Sequence, residues 1–255
     1  MPNTQVVYFL QPEDHKIKPY LLPLHALVGM LLLTTTATAQ IKGLCNTGQT
    51  PKTFSGCTSV LVTPNPTGGG PNRDGNWEIS YPYPSTLSPV LGPCGLSFVR
   101  AWVDSPLLQA PFDSWLPNSA STASEWITPY DGEGNQPQGW FIYLTEFHVP
   151  LVLPSGIVPV GLTINGRLAS DNETYGFVLA SLAHGGSCAF VEGLPVPINP
   201  IDSFTQWTNF SFTSPIAITP DSDVLLYVLV NNAPSTGYPN ATGLRVEFFD
   251  TSAFY

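Results

Sequence analysis

Apolar residues along the chain fall into short runs, and turn-forming residues separate the runs. The runs are rich in Val, Ile, Phe, Tyr and Trp and lack the spacing and the capping residues of helices, so they predict β-strands. The predicted strands are residues 77–81, 96–103, 140–149, 160–164, 167–170, 175–182, 204–212, 224–230 and 244–249.

Two of these strands, residues 140–149 and 224–230, are apolar on both faces for most of their length. Strands of this kind lie at the centre of packed layers, so the sequence predicts an all-β fold with a single jelly-roll-like β-sandwich over residues 75–255. The dipeptide Asn165-Gly166 lies between two short strands. It predicts a two-residue hairpin turn, because both positions of such a turn take positive φ.

The last predicted strand has an alternating pattern. Leu244, Val246 and Phe248 are apolar, and the charged residues Arg245 and Glu247 stand between them. Successive side chains of a strand point to opposite faces of the sheet. The pattern therefore predicts that the apolar residues face the core and that the two charged residues face solvent.

The first 39 residues have the pattern of a signal peptide. Lys16 and Lys18 precede an apolar run at residues 20–33, and a motif of small residues follows at residues 37–39. A retained membrane anchor is the alternative, but about 14 apolar residues are fewer than the roughly 20 that a spanning helix needs. The sequence therefore predicts cleavage after Ala39 and a secreted or cell-surface protein whose mature chain does not insert into the membrane.

Residues 40–74 are rich in Thr, Pro, Gly and Asn and contain one strand-like island. We interpret them as an extended arm, in which residues 64–71 link the island to the sandwich. An unpaired strand tends to complete the edge of a sheet, in its own chain or in a neighbouring copy, and head-to-tail addition to neighbours gives a filament. The sequence is compatible with both possibilities. The candidate residues for strand exchange are Thr58, Ser59, Val60, Leu61, Val62 and Thr63.

Composition and charge narrow the range of partners. The chain of 255 residues is 43% hydrophobic and 10% charged, which is typical of a chain that folds around a core. Its 18 Asp and Glu outnumber its 8 Lys and Arg, for a net charge of -10. No basic stripe is present to neutralise phosphates, so no nucleic acid is predicted as a partner.

Four cysteines, Cys45, Cys57, Cys94 and Cys188, lie in the part of the chain that is predicted to be exported. An even number of cysteines in an oxidising compartment favours two disulfides. Three connectivities are possible, and we prefer Cys45 with Cys57, which closes a short loop, and Cys94 with Cys188. A zinc site is the rival interpretation, but none of the spacings is Cys-x-x-Cys.

No arrangement of residues identifies a reaction, and we predict that the protein is not an enzyme. The segment His184-Gly185-Gly186 is similar to the oxyanion segment of esterases, but the Gly-x-Ser-x-Gly motif of that fold is missing. The acidic residues provide many pairs that a glycoside hydrolase could use, and their spacing selects none of them. A hydrolase is therefore the third hypothesis.

A calcium loop is the one candidate cofactor site. Asp131, Glu133 and Asn135 place oxygen ligands at alternate positions, which suits a hard cation. A solvated acidic turn is the alternative, and we favour it. No other metal or cofactor is predicted.

Two features of the sequence are typical of proteins that bind or carry carbohydrate. Exposed aromatic side chains can stack on sugar rings, and the loop-rich stretch supplies three candidates, Trp115, Trp126 and Tyr130. Three Asn-x-Ser/Thr motifs would accept N-linked glycans on an exported chain in an organism with that machinery. These motifs begin at Asn172, Asn209 and Asn240.

Five segments are similar, in order, to the motifs of a family of secreted bacterial β-sandwich domains that often carry a PEP-CTERM sorting tail. The segments are residues 115–129 (WLPNSASTASEWITP), 137–150 (PQGWFIYLTEFHVP), 166–172 (GRLASDN), 204–212 and 240–249 (NATGLRVEFF). The resemblance covers most of the predicted mature chain but not the tail. It implies an extracellular, galactose-binding-like sandwich without known catalytic residues.

The leading hypothesis is an extracellular, non-enzymatic structural or adhesive protein, which includes a self-assembling surface or filament subunit joined by strand addition. The alternative is a carbohydrate-binding module of a secreted bacterial protein. The expected partners are further copies of the chain or surface glycans.

Overall fold

Antiparallel β-strands form nearly all of the regular structure. A computed structural model describes residues 38–41, 43–53, 56–63, 72–80, 97–104, 115–129, 136–149, 161–182, 188–189, 201–214, 222–233, 241–249 and 252–254. The strands are β1 Thr38–Gln40, β2 Arg73–Ser80, β3 Phe98–Asp104, β4 Trp126–Thr128, β5 Gly139–Val149, β6 Gly161–Leu182, β7 Cys188–Ala189, β8 Ile201–Ser214, β9 Ser222–Asn232, β10 Gly243–Phe248 and β11 Ser252–Phe254. All of them belong to one unit, Ala37–Tyr255.

The all-β prediction is confirmed. The described residues include one short 3-10 helix, Asn118–Ala120, and they contain no α-helix. Six of the predicted strands correspond to β2, β3, β5, β8, β9 and β10, and the other three merge into β6. β4 is not among the predicted strands, because it lies in the stretch interpreted as rich in loops.

Hydrogen bonds connect the described strands into a single sheet. Its order is β1-β11-β6-β10-β4-β3-β2-β5-β9, and β7 and β8 also pair with β6. β6 is long enough to pair with two separate parts of the sheet. Residues 161–171 pair with β10 and β11, and residues 173–181 pair with β9. The sheet therefore curls until β9 meets β6. A two-layer jelly roll is a finer assignment, and it stays a prediction.

The hairpin turn predicted at Asn165-Gly166 is wrong, because both residues lie inside the continuous strand β6. Gly166 pairs with Phe248 on one side and with Phe210 on the other. A Cβ atom built on Gly166 would lie 2.4 Å from the carbonyl oxygen of Glu247 and 2.6 Å from Cζ of Phe210. The glycine thus permits the close approach of neighbouring strands instead of a turn.

The main core lies on one face of the sheet. Every second residue of β9 from Val224 to Val230 is buried in it, and β2, β3, β4, β5, β6, β8 and β10 contribute to the same cluster. The opposite face of β5 and β9 carries a second apolar cluster. Its buried members are Trp140, Ile142, Leu225, Tyr227 and Leu229. The two strands predicted to be apolar on both faces are thus interior strands of the sheet, as expected.

The segment predicted as an arm packs with the rest of the unit. Ile41 and Leu44 lie in the main core. The predicted disulfide between Cys45 and Cys57 is confirmed. Together these contacts make the N-terminal part of the segment a component of the core.

Residues 58–63 pair with their own chain. The amide of Thr50 donates to the carbonyl of Val60 (2.9 Å), and the amide of Val62 donates to the carbonyl of Gly48 (2.8 Å). Val62 packs against the main core, whereas Val60 is 60% exposed. Of the two possibilities that the sequence leaves open, the structure contains the pairing within one chain.

We expect the substitution Gly166→Ala to destabilise the protein. The added methyl group overlaps the Glu247 carbonyl and the Phe210 ring, and overpacking of this kind costs about 1–3 kcal/mol. Urea unfolding followed by tryptophan fluorescence measures the free energy of unfolding. Asn209→Ala, at an exposed position of β8, is the control and should change that free energy by less than about 0.5 kcal/mol. If Gly166→Ala is as stable as the wild type, the packing argument is wrong.

Candidate functional site

The two tryptophans predicted as a sugar platform are buried. Trp115 is 5% exposed and Trp126 is 0% exposed, and their ring centroids lie 4.4 Å apart. The Trp126 indole donates a hydrogen bond to the carbonyl of Leu116 (2.7 Å). Both rings pack in a cluster with Ala169 of β6. The platform prediction is wrong for these two residues, because their rings fill an apolar cluster and present no face to solvent.

Several predicted residues lie outside those described. They are the signal peptide through residue 37, Cys94, Tyr130, Asp131, Glu133, Asn135 and Asn240. For Asn172 in β6 and Cys188 in β7, the description covers the backbone alone. Within the described ranges, no group of three or more His, Cys, Asp or Glu residues could hold a metal ion. These ranges also contain no helix long and apolar enough to cross a bilayer.

Residues 46–50 form a segment that we call the seam segment. It lies between β10 and Glu125, the residue directly before β4. The amide of Thr47 donates to the carbonyl of Val246 (3.2 Å), and the Val246 amide donates to the Thr47 hydroxyl (3.1 Å). On the other side, the Glu125 amide donates to the Thr47 carbonyl (3.0 Å). The Thr47 hydroxyl donates in turn to the Glu125 carbonyl (2.7 Å). Thr47 thus satisfies backbone groups of Val246 in β10 on one side and of Glu125 on the other.

The carboxylate of Asp74 joins the seam segment to β2. It accepts hydrogen bonds from the backbone amides of Gly48, Asn76 (2.7 Å) and Trp77 (2.9 Å). Gly48 has a φ of 78°, which L side chains rarely adopt. A Cβ atom on Gly48 would also lie 2.6 Å from Cβ of Glu125. Glycine is therefore required at this position for its backbone angle and for its size.

Arg245, which the alternating pattern predicts to face solvent, is completely buried. That prediction is wrong, because the chain segment before β4 lies against this face of β10. The guanidinium Nε donates to the hydroxyl of Ser124 (3.0 Å). The other two nitrogens donate to four main-chain carbonyls, those of Pro117 (2.9 Å), Asn118 (3.1 Å), Ser121 (3.3 Å) and Ser124 (2.7 Å).

Glu247 is buried beside Arg245, so its predicted exposure is also wrong. Its Oε1 accepts from the Ser124 hydroxyl (2.7 Å), and its Oε2 accepts from Nε (2.8 Å) and Nη2 (2.6 Å) of Arg167. Burial raises the pKa of Glu247, but hydrogen bonds from serines and from Arg167, with the arginine charge, outweigh burial and lower it overall. Glu247 is therefore an ionised carboxylate at neutral pH.

Glu125 lies close to this network but has a different environment. Its Oε2 is buried and has no hydrogen-bond partner among the described residues. Burial raises the pKa of Glu125 to about 7, although the charge of Arg245 lowers it and that of Asp74 adds to the increase. Burial also raises the pKa of Asp74 to about 6, although three backbone hydrogen bonds and the charge of Arg100 lower it. These two carboxyls therefore titrate near neutral pH.

The outer face of β6 and β8 carries a ladder of polar side chains, which we call the polar strip. The strip consists of three cross-strand pairs, Thr163 with Thr213, Asn165 with Ser211, and Arg167 with Asn209. The Ser211 hydroxyl donates to Oδ1 of Asn165 (2.6 Å), and the hydroxyls of Thr163 and Thr213 lie 3.0 Å apart. The three side chains from β8 are exposed. The strip therefore offers ordered hydroxyl, amide and guanidinium groups to solvent.

Aromatic rings flank the Arg167 end of the polar strip. The guanidinium of Arg167 lies over the Trp207 ring, 4.4 Å from its centroid, and 5.9 Å from the centroid of Phe249. Phe249 is 50% exposed, and its amide donates to the carbonyl of Asn165 (2.8 Å). An exposed apolar ring thus lies beside the polar groups.

The predictions from the sequence include neither the polar strip nor the buried network of Arg245 and Glu247. The strip has a signal, since residues 163–167 and 209–213 carry polar side chains at every second position. The buried network has a weaker signal in the sequence. Its charged residues Arg245 and Glu247 alternate with apolar residues, and charged residues in such a strand usually face solvent. Only the position of residues 117–124 reveals that this face is covered.

No protein-family profile matches the chain, and no curated protein matches it at a significant level. The resemblance to secreted β-sandwich domains therefore stays a prediction. The functional proposals depend on the residues of this chain alone.

We expect Arg245→Lys to cause a large loss of stability. A lysine ammonium has three donors on one nitrogen, so it cannot reach the Ser124 hydroxyl and four carbonyls as the guanidinium does. Breaking a buried charged network costs about 3–5 kcal/mol. Urea unfolding measures this loss, and hydrogen exchange should show faster exchange in residues 115–125.

Arg100→Lys is the matched control. The Arg100 side chain is half exposed, and its Nε lies 3.6 Å from Oε1 of Glu78. An exposed ion pair of this kind contributes about 0–1 kcal/mol to the free energy of unfolding. Equal effects of the two substitutions, or unchanged exchange in residues 115–125 of Arg245→Lys, would contradict the role assigned to Arg245.

We expect the free energy of unfolding to fall between about pH 4 and about pH 7. The folded-state pKa values of Asp74 and Glu125 are raised to about 6 and about 7, so protonation of these groups favours the folded state. Their contribution to the free energy of unfolding is fully present below about pH 4, where the same carboxyls are protonated in the unfolded chain as well. The contribution is lost as the pH rises through 6 to 7. The pKa of Glu247 is lowered and acts in the opposite sense, but only in more acidic solution.

Urea titrations at several pH values measure this slope. Glu125→Gln should make it shallower, because the amide does not titrate, whereas Glu146→Gln at an exposed position of β5 should leave it unchanged. A slope of the same size in Glu125→Gln would show that Glu125 does not titrate in this range.

Proposed function

We propose that this protein is an extracellular, non-enzymatic structural or adhesive protein with a jelly-roll-like β-sandwich fold. The observation that carries the proposal is the polar strip, an exposed and internally hydrogen-bonded face of β6 and β8. Side chains that are already held in place lose little conformational entropy when they contact another molecule. Such a face suits attachment to an extended surface.

The N-terminal region supports an extracellular location. The disulfide between Cys45 and Cys57 closes the loop that contains the seam segment, and disulfides persist in oxidising compartments. The predicted signal peptide at residues 1–39 indicates the same destination.

Self-assembly by strand addition is a narrower form of the proposal. Residues 58–63 pair with residues 48–50 of their own chain, so exchange between copies requires these hydrogen bonds to break. Val60 keeps an exposed apolar side chain on this segment. A second copy of the chain could pack against it.

We expect the purified protein either to assemble or to bind the surface of the cells that produce it. Light scattering and negative-stain images test assembly. If strand addition drives it, Val60→Asp should prevent assembly because a charge on an edge strand opposes pairing. Val99→Asp is the control, since Val99 is also an exposed apolar residue but lies on β3.

Adhesion is tested by the retention of fluorescently labelled protein on washed cells. The double substitution Asn209→Ala, Ser211→Ala should reduce retention, because it removes two exposed polar groups from the strip. A protein that is monomeric at high concentration and is not retained on the cells would contradict the proposed function.

A further inference from the structure

We propose that the polar strip binds an uncharged, hydroxyl-rich polysaccharide. This inference rests on the proposed adhesive function and names the class of ligand. It does not use Trp115 and Trp126, the buried tryptophans of the predicted platform.

The dimensions of the strip suit a short run of sugar units. Its three rows follow one another at every second residue of β6, so neighbouring rows are separated by about 6.6 Å. The strip is therefore about 13 Å long and two strands, or about 4.8 Å, wide. A linear oligosaccharide can lie along it and contact both strands.

The chemistry of the rows matches sugar hydroxyl groups. Hydroxyl and amide side chains both donate and accept hydrogen bonds, as sugar hydroxyls do. The bonds between Ser211 and Asn165 and between Thr163 and Thr213 orient these groups before a ligand arrives. Glu247 holds the Arg167 guanidinium through two nitrogens, while 30% of the Arg167 side chain stays exposed.

Phe249 supplies the apolar part of the site. Sugar rings have faces of C–H groups that pack against aromatic rings, and Phe249 exposes half of its surface beside Arg167. Its backbone amide bonds to the carbonyl of Asn165, so the residue lies beside the middle row of the strip. Polar rows next to one exposed ring form the combination that recognises a sugar and not a purely apolar ligand.

Charge favours a neutral polymer over an anionic one. Arg167 is the charged residue of the strip, and Glu247 beneath it neutralises its charge. The whole chain has a net charge of -10, which disfavours the approach of anionic polymers. An uncharged ligand meets no such penalty.

Affinity gel electrophoresis with soluble polysaccharides tests the proposal. The probes are dextran, galactan and xyloglucan as neutral polymers and polygalacturonate as an anionic one, and the protein is made without N-glycosylation so that Asn209 is bare. We expect at least one neutral polymer to retard the protein and polygalacturonate to have no effect. Phe249→Ala, and separately the double substitution Asn209→Ala, Ser211→Ala, should weaken binding by about two- to tenfold. Val60→Ala, an exposed apolar residue away from the strip, should bind as the wild type does.

Three outcomes would overturn the proposal: no retardation by any neutral polymer, retardation by polygalacturonate alone, or equal binding by the strip variants and the wild type when circular dichroism shows that all are folded. The cell-retention assay separates this failure from that of the proposed function. If the protein is retained on cells but no neutral polymer binds it, adhesion stands and the ligand class is wrong.

Discussion

The burial of Arg245 is the constraint on which this side of the domain depends. A charge in the interior is costly unless its surroundings supply hydrogen bonds and an opposite charge. Here the Ser124 hydroxyl and four carbonyls accept from the guanidinium. Because these carbonyls all belong to residues 117–124, the arginine fixes the path of that segment across β10. Burial lowers the pKa of Arg245 to about 10, partly offset by the charges of Glu247 and Glu125, so the side chain is still charged at neutral pH.

The position of that segment divides the outer face of the sheet into a covered and an exposed part. Under the covered part, Trp115 and Trp126 pack near Ala169 of β6. Further along β6 and β8, the polar strip is exposed. Arg167 lies at the boundary, since it binds buried Glu247 and also belongs to the strip. One buried network therefore determines which part of the sheet is available to other molecules.

The sequence predicts the class of the fold and most of the strands because period-two hydrophobicity and β-branched residues are local signals. An even number of cysteines favours disulfides, and the short loop between Cys45 and Cys57 makes that pair the preferred one of three connectivities. Prediction from the sequence fails at Gly166, since a glycine in a strand can mark a turn or a close approach, and only the neighbouring strands distinguish them. It fails at Trp126, in a stretch interpreted as rich in loops, and at Arg245, in an alternating strand, because neither local pattern shows what packs against the residue. Periodicity shows that a second face exists, but tertiary packing decides whether that face is covered.

Glu247 connects the interior of the protein to its proposed binding surface. Its Oε1 accepts from Ser124, which also binds Arg245, and its Oε2 accepts from Arg167 on the polar strip. An arginine suits the strip position because its planar group can bind one carboxylate through two nitrogens and still stack on Trp207. The orientation of the half-buried Arg167 guanidinium is therefore set by the buried carboxylate of Glu247. A change in the buried network would therefore alter the proposed binding surface without replacing any residue of the strip.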